Sequence, residues 1–180
     1  MGSLYLKKIV IAGALLTLMG CSSVKPTVAV GHQFKLGHVS LTVSQRITPV
    51  ITYHNQVELQ RLLIQKITVR LEQQGLLSHQ RGANYLTVQV QYQRNFLDDQ
   101  TPESSSALAY PQYDYSIQVK HGNQVLAKTA EKNRVFKGRF IMNIDVLAGR
   151  LDKKSDEIEF IDGLAKEIVR SVQNLKKASI

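Results

Sequence analysis

Cysteine occurs once, at position 21, and tryptophan not at all. A lone thiol closes no disulfide within its own chain, and no paired-cysteine motif is present to hold a metal or run redox chemistry. The sequence also lacks His-Glu-x-x-His, Gly-x-Ser-x-Gly and a glycine-rich phosphate loop. These absences remove the motif-bearing hydrolase, metalloprotease and nucleotide-binding classes from the expectation. Acidic residues are scarce, 14 against 23 Lys and Arg, for a formal charge of +9. Long apolar runs are scarce too. The longest, Ile9 to Met19, is broken by Gly13 and Thr17 and falls short of the roughly 20 apolar residues that cross a bilayer.

What is present is the composition of one globular domain, with 43% apolar and 21% charged residues in a chain of 180, enough to close one core and solvate its surface. The first twenty residues stand apart. Lys7 and Lys8 precede the apolar run, the arrangement of a secretory signal. The expected organisation is therefore a removed leader over 1–20, a short tether over 21–27 and a single domain over 28–180. Loss of Lys7 and Lys8 with the leader leaves a formal charge of +7. An exported basic domain is expected to have anionic neighbours, such as lipopolysaccharide, anionic lipid or an acidic protein surface, and nucleic acid is not expected.

Leu18-Met19-Gly20-Cys21 resembles the lipobox of bacterial lipoproteins. That resemblance implies cleavage before Cys21, acylation of its thiol and its new amino group, and a covalent lipid as the one non-protein group. Ser22 is not the aspartate that retains enteric lipoproteins at the inner membrane, so the resemblance implies the periplasmic face of the outer membrane. Acyl chains contribute about 0.8 kcal/mol per buried methylene, and two or three of them anchor stably. Ser22 to Pro26, fully extended, reach on the order of 20 Å. The domain is expected to sit close to its membrane, which disfavours contact with distant peptidoglycan.

Along the domain, Val28 to Val30 and Phe34 to Val43 read as strands, with Gly31-His32 and Gly37-His38 as turns rather than metal ligands. Asn55 and Gly75 bracket a helix whose core arc is expected to hold Val57, Leu59, Leu63, Ile64, Ile67 and Leu71. Leu62 and Val69 fall nearly opposite, as a candidate docking stripe. Leu86, Val88, Val90 and Tyr92 alternate with Thr87, Gln89, Gln91 and Gln93, a half-buried strand with a glutamine-lined outer face. The polar stretch 97–106 reads as a mobile loop. Tyr113 to Val119, a turn at His121-Gly122-Asn123, and Val125 to Thr129 read as a hairpin. A further strand is expected through Phe136, Phe140, Met142, Ile144 and Val146. Lys132, Arg134, Lys137 and Arg139 are gathered along it as a candidate cradle for an anionic headgroup. From Ser155 a last helix carries Ile161, Leu164, Ile168, Val172 and Leu175 inward, with acids at its start and lysines at its end. The five histidines stand beside Gly, Asn or Ser and form no ligand set, and Asp98 and Asp99 are adjacent and point apart on an extended chain. No catalytic residues and no metal site are expected.

This order predicts an α+β fold: a mostly antiparallel sheet of four or five strands with two amphipathic helices on one face. "LQRLLIQKITVRLEQQGLL" (59–77), "ANYLTVQVQYQ" (83–93) and "IDGLAKEIVRSVQN" (161–174) resemble the corresponding segments of small Gram-negative outer-membrane lipoproteins with an α/β sandwich. Among those are the lipopolysaccharide-assembly lipoprotein and the auxiliary lipoproteins of lipid-transport ABC systems. The resemblance implies a non-catalytic accessory module that supports an envelope complex through a protein partner. Its candidate contacts are Gln89 and Gln91, Leu62 and Val69, or the 98–112 loop. The alternative is a carrier of anionic lipid or lipopolysaccharide, using the four cations with Phe136 and Tyr115 lining an apolar slot.

Overall fold

Alternation of apolar and polar residues with a period of two sends every second side chain of a strand to the same face, and in three of the four strands here that apolar face points to one core. The computed structural model describes residues 30–101, 105–136 and 140–178. Cys21, the leader, Lys137 and Arg139 lie outside the described residues, as do residues 28 and 29 of the expected first strand. Val30 lies in no strand and packs against the core from an irregular segment.

The elements are β1 (Phe34–Gln45), α1 (Gln56–Gln73), β2 (Asn84–Arg94), β3 (Gln112–His121), β4 (Gln124–Val135), α2 (Phe140–Leu147), a 3-10 turn (Lys154–Asp156) and α3 (Glu157–Ala178). The sheet order is β1-β2-β3-β4. The α+β expectation holds, with the sheet mixed rather than uniformly antiparallel. β1 pairs parallel to β2, while β2–β3 and β3–β4 pair antiparallel. The parallel pair follows from the connection, since α1 is the crossover that a strand needs to return beside its neighbour in the same direction.

Leu41, Val88, Val90, Ile117 and Val119 from the sheet meet Leu59, Leu63, Ile67 and Leu71 of α1 and Ile161, Leu164, Ile168 and Val172 of α3 in one core. α1 begins with a capping box: Asn55 Oδ1 accepts the Glu58 N–H at 2.9 Å, and Glu58 Oε2 accepts the Asn55 N–H at 2.8 Å. Its arc differs from the expectation on both flanks. Val57 and Ile64 are exposed, whereas Leu62 packs against the core. α3 explains the shift: Lys66 and Arg70 of α1 both reach Asp162 of α3, so a second helix covers the flank on which Leu62 lies.

Two further expectations are corrected. Gly37-His38 is no turn; it sits inside β1, where the register with β2 slips between Leu36 and Val39, a bulge that absorbs an extra residue without ending the strand. Within the expected strand through Phe136–Val146, Phe136 lies in no strand and the residues from Phe140 onward form helix α2 (Phe140–Leu147). Met142 and Val146, four apart, are its buried positions, and Ile144 is exposed. Over eight residues that are apolar on average, a period of two and a helical spacing of four mark the same positions, so periodicity alone did not separate them. Gly149, at φ +64°, closes α2: Gly149 N–H donates to the Val146 carbonyl and Arg150 N–H to the Asp145 carbonyl, a left-handed terminus that glycine adopts without cost.

α2 helps build a second, smaller core of Tyr53, Phe96, Leu108, Met142, Val146, Leu151 and Phe160. That core holds the segment that follows the polar stretch, within the 98–112 loop. Ala107 and Leu108 are buried, Leu108 N–H donates to the Leu151 carbonyl at 2.8 Å and Ala109 N–H to the Asn95 carbonyl at 2.9 Å.

Candidate functional site: the uncovered face of the sheet

Both helices that cover the sheet, α1 and α3, lie on one side of it. The residues between the inward-facing ones therefore form an opposite face that no described element covers. Cross-strand pairing arranges that face in rows. Ser40, Gln89, Ser116 and Ala130 are in register, and Thr42, Gln91 and Asp114 form the next row. Gln89 and Gln91 are exposed, as expected. With Asp114, Ser116 and Lys132 they line a shallow open depression of about 480 Å³. A second depression of about 440 Å³ adjoins it, where Gln93 and Gln112 meet Asp98, Asp99 and Tyr110 of the loop.

Hydrogen bonds hold this surface in shape. Asp114 Oδ1 accepts the Asn133 N–H at 2.7 Å. Gln93 Nε2 donates to Asn95 Oδ1 at 2.9 Å, and Asn95 Nδ2 to the Tyr110 carbonyl at 2.9 Å. Amides and hydroxyls that both donate and accept, spread over a flat face, suit a ligand rich in hydroxyl or peptide groups.

The expected cation cradle is not assembled among the described residues. Lys132 lies on the open face. Arg134 lies beside Tyr113 and reaches Glu167 of α3 at 3.5 Å, on the covered side. Two residues apart on a regular strand would share a face. Here β4 carries one extra residue between the partners of Tyr115 and Tyr113, with Asn133 at φ +53°, and that bulge turns Arg134 to the other face. The apolar slot is absent as drawn: Tyr115 is buried with its hydroxyl 2.9 Å from Ser171 Oγ, and Phe136 packs edge-on against Phe160 at 5.5 Å between ring centroids. Burial raises the pKa of Tyr115, and burial together with a hydrogen bond to Glu167 raises that of Tyr113. The α1 stripe divides as well, with Val69 exposed and Leu62 packed against the core.

Sequence reasoning missed the row at the other end of the open face. Lys35 pairs with Tyr85 and Tyr85 with Lys120, and Lys35 Nζ stands 5.9 Å from the centre of the half-exposed Tyr85 ring. Continuing the outward alternation Ser116, Gln118, Lys120 was a signal for Lys120; joining Lys35 to it required the parallel register of β1.

Among the described residues no three His, Cys, Asp or Glu stand close enough to hold a metal ion, and no helix is long and apolar enough to cross a membrane. His54 does more than occupy a turn: its Nδ1 lies 3.4 Å from Glu157 Oε2. No family model matches the chain, and no curated protein matches it significantly.

Proposed function

We propose that this chain is a non-catalytic module of the bacterial cell envelope, acylated at Cys21 and held at the periplasmic face of the outer membrane, which docks an envelope component on its open sheet face and so supports a larger assembly. The lipobox-like leader supports the anchoring. The observation that carries the docking is the uncovered face around Gln89 and Gln91, flat and rich in side-chain amides. Sheets with one covered and one open face are common and usually solvated; this one is ordered by its own hydrogen bonds into a shaped surface.

The alternative, a carrier of anionic lipid, draws less support, because Arg134 is engaged by Glu167 and Tyr115 belongs to the core. Photo-crosslinkers at positions 89 and 91, compared with 62 and 69, test the docking. Capture from the sheet positions alone is expected; capture from 69 alone moves the docking to α1. Palmitate labelling that persists in Cys21→Ser overturns the anchoring.

A further inference from the structure

The open face is graded along its length. At one end, Lys35, Tyr85 and Lys120 form one row, and Gln118 with Lys128 begin the next. Those rows contain no carboxylate, and none of the three lysines forms an ion pair among the described residues. Three cations on one end of a face are otherwise self-repelling, and they raise the local concentration of anions. The Tyr85 ring, set against Gly37, carries the Lys35 ammonium over its face, an attraction that holds that charge in place. Beyond this basic end come a row of uncharged hydroxyls and amides, Ser40, Gln89 and Ser116, and then Thr42 and Gln91 with Asp114, whose carboxylate accepts the Asn133 N–H.

The dimensions select among occupants. Eight residue steps along β2, at about 3.4 Å each, make the face about 27 Å long, and three strand spacings of about 4.8 Å make it about 14 Å wide. That is roughly 400 Å², half of the roughly 800 Å² that each side of a stable protein interface contributes. Among the described residues the outward positions of its strands carry one aromatic, Tyr85, and no Arg, short of the clustered aromatic and Arg anchors that carry such interfaces. A long, narrow, hydroxyl-matching surface with a cationic end fits an extended chain instead, and offers no groove for acyl tails.

Resting on the reading of the open face as the docking surface, we propose that the face binds an extended glycan bearing carboxylate or phosphate groups. The acidic groups sit at Lys35, Lys120 and Lys128. Sugar hydroxyls exchange hydrogen bonds with Gln89, Gln91 and Ser40. A membrane-borne glycan is within reach of the short tether that follows Cys21.

The test titrates the full chain with an oligogalacturonate and with a phosphate-bearing mannan oligosaccharide, against a neutral cello-oligosaccharide of equal length and phosphatidylglycerol vesicles. Binding of either acidic oligomer at least about tenfold tighter than the neutral one is expected, weakening with salt. Lys35→Gln with Lys120→Gln is expected to remove at least about tenfold of that affinity with an unchanged melting temperature, because surface substitutions cost little stability. Gln91→Ala is expected to weaken acidic and neutral oligomers alike. Equal affinity for acidic and neutral oligomers, indifference to the double lysine variant, or vesicle binding that Lys35→Gln with Lys120→Gln removes as it removes glycan binding would each overturn the proposal. Protein capture at positions 89 and 91 without glycan binding overturns the glycan and leaves the docking face standing; neither capture nor binding overturns both.

Discussion

Arg94 and Glu157 meet side by side, with Nε 2.7 Å from Oε1 and Nη2 3.0 Å from Oε2, and no part of Glu157 reaches solvent. The guanidinium also donates to Gln45 Oε1 and to the His54 carbonyl, both at 2.6 Å, and lies 5.6 Å from the centre of the Tyr53 ring. One side chain thus joins the end of β2 to the start of α3 and to the chain between β1 and α1. Burying such a pair gains little over apolar residues, but removing one partner strands a buried charge.

Glu157→Gln and Arg94→Met are therefore expected to lose about 3–5 kcal/mol each, read by urea unfolding. Replacing both, Arg94→Met with Glu157→Leu, is expected to recover most of that loss, since neither charge is then left alone. Single variants within about 1 kcal/mol of the parent would refute the arrangement.

Gly163 lies in α3 where the Phe136 ring presses on the helix, so that a Cβ there would overlap the ring edge. Alanine in a helix interior gains up to about 1 kcal/mol over glycine, but overpacking costs about 1–3 kcal/mol. The ring is held on its other side by Phe160, so the clash prevails and Gly163→Ala is expected to lower the melting temperature. In a Phe136→Leu background the same change is expected to raise it. Additivity of the two substitutions would show that the contact is absent.

How legible this was in the sequence varies by element. β2 was plain because four polar and four apolar residues alternate without interruption, and α3 because its apolar residues repeat at three and four. Arg94 continues the inward series of Leu86, Val88, Val90 and Tyr92, so alternation alone points it at the core; its partner was hidden because Glu157 also satisfies the helix dipole, an adequate role for an acid at that position. α2 failed because eight residues are too few to separate two periods. The split of Lys132 from Arg134 depends on a single bulge residue, Asn133, whose left-handed backbone leaves no mark in composition. The gathering of Lys35 with Lys120 is set by pairing between strands, which local sequence does not specify.

The tyrosines set the alkaline limit. Burial, followed by the nearby acids Asp156, Asp152 and Glu157, raises the Tyr53 pKa from 10.0 to about 12, and burial raises those of Tyr92 and Tyr113 as well. A folded pKa above the unfolded one means that the neutral phenol is favoured by folding. This contribution is complete below pH 10 and is lost as pH rises through the folded values. Unfolding free energy is expected to be insensitive to these groups from pH 7 to 10 and to fall from there toward 12, with phenolate absorbance appearing late. Tyr113→Phe is expected to flatten that fall; titration of Tyr53, Tyr92 and Tyr113 near pH 10 would refute it.

The acid side is set in part by the start of α1. Glu58 is held below the usual carboxylate range first by its hydrogen bond from Lys154, at 2.9 Å, and then by the Asn55 N–H. A lowered folded pKa gives stability that is present above the unfolded value of 4.5 and is lost as pH falls through the folded value. Asn55→Ala is expected to cost about 1 kcal/mol, and to do so at pH 7 and pH 3 alike, because its amide does not titrate. Glu58→Gln is expected to destabilise at pH 7 and to approach the parent as pH falls through the folded value, where the parent's carboxyl takes up its proton. The cap also bears on the sheet. Gln56 Oε1 accepts the Val43 N–H at 3.1 Å and Gln60 Oε1 the Leu41 N–H at 3.2 Å, so the first turns of α1 occupy donors that an exposed edge strand would otherwise offer to another chain. Fraying α1 through Asn55→Ala is expected to free those two amides, seen as faster hydrogen exchange at Leu41 and Val43 while Val88 and Val90 at the sheet centre stay protected. Equal acceleration at all four would mean that the loss is global and that the edge is not held by the helix.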